Sequence, residues 1–142
     1  IRSDGRGDVT STHIAWEVKD GVTYIPSPIL DGERLILTND SGVALCLRTG
    51  DGKVQWKKRL GGNFSASPVL FGDLLYAANR TGLTFVARIG EQCEVVAENT
   101  LPAEVLATPC LVGDRIYLRS TTTLYCLATT PAAAPELSTA PQ

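Results

Sequence analysis

The sequence predicts an all-β fold: about three blades of a β-propeller, each an antiparallel four-stranded sheet. Three observations lead there. A short phrase recurs every 40 or 41 residues: Pro-Ser-Pro-Ile-Leu at 26–30, Ala-Ser-Pro-Val-Leu at 66–70 and Ala-Thr-Pro-Cys-Leu at 107–111. After each phrase comes a glycine, Gly32, Gly72 or Gly113, and then an apolar run: Leu35 to Leu37, Leu74 to Tyr76, Ile116 to Leu118. A second apolar run closes each unit, at Ala44 to Leu47, Thr84 to Ala87 and Leu124 to Leu127. A period of about 40 to 45 residues made of short strands marks propeller blades, and the strand pattern excludes helical solenoids of similar length.

The elements follow in order. Residues 1–10 are polar and glycine-rich and read as a loop. Residues 12–18 read as a short strand, with apolar Ile14 and Trp16 set against His13, Ala15 and Glu17, and so as the fourth strand of a preceding blade. The blade over 23–59 has strands at 23–30, 34–38, 43–47 and 53–59. Its separators, Asp31-Gly32, Asn39 to Gly42 and Gly50 to Gly52, hold residues that tolerate the left-handed backbone of tight hairpins. The blade over 64–99 repeats this with strands at 64–70, 74–78, 83–89 and 94–99. The unit over 105–128 has three strands, at 105–112, 115–119 and 123–128. The Pro- and Ala-rich stretch over 129–142 is too poor in large apolar groups to offset its ordering entropy and reads as disordered. The orphan strand at 12–18 and the three-stranded last unit are complementary. Three blades do not close a ring, because propellers need about four or more. The expectation is therefore a partial propeller, the last blades of a longer chain, or copies that associate through open blade edges.

Composition narrows the function. The formal charge is −2, with a pI near 5.3, so there is no electrostatic case for nucleic acid. The basic run Lys57-Lys58-Arg59 reads as a solvated strand face. Arg6-Gly7-Asp8 matches an adhesion tripeptide, but so short a string recurs by chance. No apolar stretch approaches the ~20 residues of a membrane-spanning helix. The four cysteines, at 46, 93, 110 and 126, have no metal-ligand spacing and no neighbouring histidine. Cys46 and Cys126 occupy the same place in two units, and Cys110 replaces Ile29 and Val69. All read as small core hydrophobes with free thiols.

The turn after the third strand carries a resemblance. Cys46-x-Arg48-x-x-Asp51-Gly52-x-x-x-Trp56 is similar to the Ala-x-Asp-x-x-Thr-Gly-x-x-x-Trp string of pyrrolo-quinoline-quinone-like propeller repeats. Gly52 and Trp56 match it, whereas Arg48 and Asp51 depart from it. In the second unit the equivalent places hold Val86, Arg88, Glu91, Gln92 and Val96, and the motif is lost. The segments Gly7-Asp8-Val9-Thr10 to Trp16 and Arg59 to Pro68 further resemble the C-terminal blades of quinoprotein-like propellers abundant in planctomycete-type bacteria. The resemblance implies that Trp16, Trp56 and Gly52 dock neighbouring blades. It also implies a bacterial protein that is periplasmic or otherwise exported.

Two function classes compete on this basis, with a hydrolase built on His13 as a third. One is a non-catalytic propeller that binds a protein partner or presents a ligand on rigid faces. The other is a fragment of a quinone-dependent dehydrogenase. Such enzymes hold calcium on carboxylate and amide oxygens and usually carry adjacent cysteines, which this chain lacks. Its Asp and Asn residues fall mostly in turns, as backbone geometry demands. The expectation is therefore no catalytic residue, no metal and no quinone cofactor. His13, the single histidine, reads as a residue capping a turn rather than as a general base. Arg119 is a candidate for a channel or a blade face. The Ser-Pro and Thr-Pro steps at Ser27, Ser67 and Thr108 read as shaping the innermost strands, since proline donates nothing to a ladder.

Overall fold

The computed structural model describes residues 3–128. Among them eleven strands form three antiparallel sheets. The first sheet comprises β1 (Ile29–Asp31), β2 (Arg34–Thr38), β3 (Val43–Arg48) and β4 (Val54–Arg59). The second comprises β5 (Val69–Phe71), β6 (Leu74–Ala78), β7 (Leu83–Ile89) and β8 (Cys93–Thr100). The third has β9 (Cys110–Val112), β10 (Arg115–Arg119) and β11 (Leu124–Ala128). In each sheet the strands lie side by side in chain order, joined by hairpins, and no helix occurs among the described residues.

Side chains alternate across a strand, so each sheet has one row facing the next blade and one facing the previous. Ile36, Ala44, Cys46 and Trp56 of the first blade meet Leu75, Ala87, Ile89 and Cys93 of the second in one buried cluster. The opposite row, Leu37, Leu45 and Leu47, is covered by Trp16 and Val18. Ala66 and Ala78 of the second blade pack with Val105 and Leu118 of the third. Phe64, at the entry to the second blade, is fully buried and tilts against Phe85 with ring centroids 6.2 Å apart. The core thus runs through the stack as layers between sheets, which is why no single sheet shelters its own apolar faces.

The innermost strands are shorter than the sequence suggests. Expected over 23–30, 64–70 and 105–112, they occupy three residues each, beginning just after Pro28, Pro68 and Pro109. Proline lacks the N–H that the ladder needs, so regular pairing begins only past it. The segment over 12–18 forms no paired strand. No strand among the described residues pairs with it, and Trp16 and Val18 are held by packing on the first blade instead, while Ile14 is exposed. The stretch 129–142, expected to be disordered, lies outside the described residues.

Candidate functional site

The sites that position anything on this molecule are the joints between blades. Trp16 lies against the hairpin joining β3 to β4, and its indole N–H donates to the Thr49 carbonyl at 2.7 Å. Gly52 sits beneath that ring with φ +70°, and a Cβ there would stand 2.6 Å from the indole. Only glycine serves both demands, a left-handed backbone and a close approach. Trp56 makes the equivalent reach one blade on. It is buried, and its indole N–H donates to Gly90 in the β7–β8 hairpin at 3.3 Å. Where this sequence departs from the repeat motif, the turn is held differently. Arg48 pairs with Asp51, whose carboxylate also accepts the Lys53 N–H, and Gly52 N–H donates to the Arg48 carbonyl at 2.8 Å. The bond from Arg48 holds the Asp51 carboxyl well below the usual carboxylate range.

A second relation runs along the inner strands, and the repeated Ser-Pro phrase is its only sequence trace. Ser27 N–H donates to Ser67 Oγ at 2.9 Å, and Ser67 N–H donates to Thr108 Oγ1 at 3.2 Å. Each hydroxyl serves the blade before it. At the β2–β3 hairpin Asn39 Oδ1 accepts from Ser41 N–H, Ser41 Oγ and Val43 N–H; Asn79 does the same for Thr81 and Leu83. Ser120 Oγ takes a reduced version of this role, accepting from Thr122 and Thr123. The chain leaving each blade docks on these same hairpins, with Leu60 and Gly61 donating to Gly42 and Leu101 donating to Gly82.

The second joint is built differently from the first. Both sheets carry a bulge at the same place, between Cys46 and Leu47 and between Val86 and Ala87. Cys46 faces Trp56, but Val86 faces Ala97. Val96, which the sequence spacing puts in the place of Trp56, is half-exposed at the bulge. Ten residues separate Val86 from Ala97 and nine separate Cys46 from Trp56, so the β7–β8 hairpin holds one more residue inside the equivalent pair and every later position moves by one. A cleft of about 680 Å³ lies between the second and third blades, lined by Tyr76, Thr84, Val86, Ile116 and Leu127 among others.

The remaining candidates do not converge. His13 lies in the turn near the N-terminus rather than on a strand, with Nδ1 2.6 Å from Thr12 Oγ1 and Nε2 3.5 Å from Asp4. Arg119 ends β10 in the register of Leu124 and is exposed, far along the chain from His13. Cys46 and Cys93 are buried, which pushes both thiols up. Cys110 and Cys126 were expected in the core but are exposed. They flank Tyr117 across β9, β10 and β11, on the face that no further blade covers among the described residues. No group of three or more metal-ligating side chains occurs among the described residues.

The family model described as outer membrane protein assembly factor BamB matches residues 6–93, more than half of the chain. The chain belongs to that family. Its repeat is thus the pyrrolo-quinoline-quinone-like blade. Among solved structures, BamB from Moraxella catarrhalis superposes with a TM-score of 0.66 at 17% identity, over 81% of this chain. That match takes in 36% of the Moraxella BamB chain, so this sequence spans about a third of that relative's length. Comparison with curated proteins gave no match. At this identity the likeness to BamB shows the propeller fold, with three sheets as part of the ring. No helix among the described residues is long and apolar enough to cross a membrane.

Proposed function

We propose that this chain is a non-catalytic protein-interaction module, the stacked blades of a longer periplasmic propeller that serves outer-membrane protein assembly. The observation that carries the reading is its membership in the BamB family, together with joints that make the blades a rigid stack. Rigid blades present their hairpins at fixed spacing, so a partner meets a preorganised surface and little ordering entropy opposes docking. Trp16, Trp56 and Gly52 act here as blade-docking residues, and the roles of His13 and Arg119 are local: one steadies a turn, the other solvates a strand end. A closed ring requires further blades, supplied by a longer chain.

The test sets this against the quinone-dehydrogenase reading. The purified chain is titrated with pyrroloquinoline quinone and calcium by absorbance and, separately, photo-crosslinked from the β2–β3 hairpins in a cell-envelope fraction. The expected result is no saturable spectral change, with defined envelope proteins crosslinked by the native chain and lost in Trp56→Ala. A saturable, calcium-dependent spectrum would overturn the proposal.

A further inference from the structure

The two joints are built from equivalent residues, and one lacks its aromatic wedge. In the first joint Trp56 packs on Leu75 and Ala87 across the gap, beside Ile36 and Cys46 of its own sheet. The repeat register places Tyr76 where Ile36 stands and Val86 where Cys46 stands. It likewise places Ile116 and Leu127 of the third blade where Leu75 and Ala87 stand in the second. Those four residues line the cleft of the second joint. Ala97 pairs with Val86 as Trp56 pairs with Cys46, so a methyl stands at the register position of the indole. Thr84, which lines the same cleft, has a buried hydroxyl without a hydrogen-bond partner. That oxygen is closed off from solvent, so it is a defect of the joint and not a contact offered to a guest.

We infer that this cleft is a receptor for a tryptophan side chain of a partner polypeptide, which takes the place that Trp56 fills from within the chain at the first joint. Apolar side chains from both blades line the cleft, Tyr76 and Val86 from one and Ile116 and Leu127 from the other, with Glu98, Asn99 and Thr100 supplying polar atoms beside them; an indole offers a ring to the first and an N–H to the second. At about 680 Å³ the space accommodates an indole and the backbone that carries it. The inference deepens the interaction reading by naming the chemistry that docks. It is testable apart from that reading, because a small probe needs no partner.

The probe is N-acetyl-tryptophan methylamide, with the leucine analogue as control, titrated into the chain and followed by methyl NMR. Saturable shifts at Val86, Ile116 and Leu127 are expected for the indole, with at least about tenfold weaker binding of leucine. Ala97→Trp should fill the cleft and abolish binding, and Val86→Phe fills it from the next strand should Ala97→Trp fail to fold. Shifts that persist undiminished in the filled variant, or no saturable shift at all, overturn the inference. So does binding that appears only after residues 129–142 are removed, since the chain's own tail would then be the occupant. Probe binding without crosslinked partners would leave the cleft assigned and the interaction reading refuted.

Discussion

Trp56 joins two blades through two kinds of contact at once, an apolar ring in the shared core and an indole N–H on the Gly90 carbonyl. Truncation removes both and leaves a hole between sheets that are braced by many other contacts and relax only in part. Trp56→Ala should therefore destabilise the fold by about 3–5 kcal/mol, read as a lower urea midpoint. An unchanged midpoint would mean that the joint does not depend on it. Trp16 is only half-buried and should matter less. The motif spacing made Trp56 and Gly52 legible in the sequence. Ala97 was not legible, because a single added residue in the β7–β8 hairpin moves the register past the place where the motif is counted. Nor was the exposure of Cys110 and Cys126, since repeat position specifies a row of the sheet but not whether another sheet covers it.

The hairpins between the second and third strands organise each blade as an element. Asn79 Oδ1 accepts three hydrogen bonds there and anchors the turn on which the next connection docks. Asn79→Ala leaves two backbone donors to find other partners in a buried site. A loss of about 1–3 kcal/mol is expected, with faster amide exchange at Thr81 and Leu83 as the local readout. Asn79→Asp, which keeps the accepting oxygens, should recover much of it. Five of the strands named from the alternation and its turn residues have the expected bounds or differ by one residue at the end: β2, β3, β6, β7 and β10. The inner strands and the segment over 12–18 carry the alternation without the full ladder. Alternation reports which residues are apolar, whereas a ladder also needs a free N–H and a neighbour, and proline or isolation removes one or the other.

At the scale of the molecule the stack has two unlike ends. The first blade's outer row is roofed by Trp16 and Val18, while Val112 and Leu124 of the third lie 57% and 68% exposed. Bare apolar sheet faces favour association. Light scattering should show the mass rising above 15.2 kDa with concentration, and Leu124→Lys should suppress the rise. A constant 15.2 kDa at every concentration would count against a sticky end. Blade stacking was legible from the period alone, whereas the order of tight and loose joints was not, because it depends on side chains that meet only after the sheets assemble.

The hydroxyl relay from Ser27 through Ser67 to Thr108 has a consequence for how such a protein can vary. It ties neighbouring repeats together near the axis, so the inner rungs tolerate no slippage. The periphery is tied at single points, Trp16 on Thr49 and Trp56 on Gly90, and the extra residue ahead of Ala97 is accommodated there with the second tie intact. New recognition surfaces can therefore be added at the rim by lengthening outer hairpins while the hub keeps its spacing.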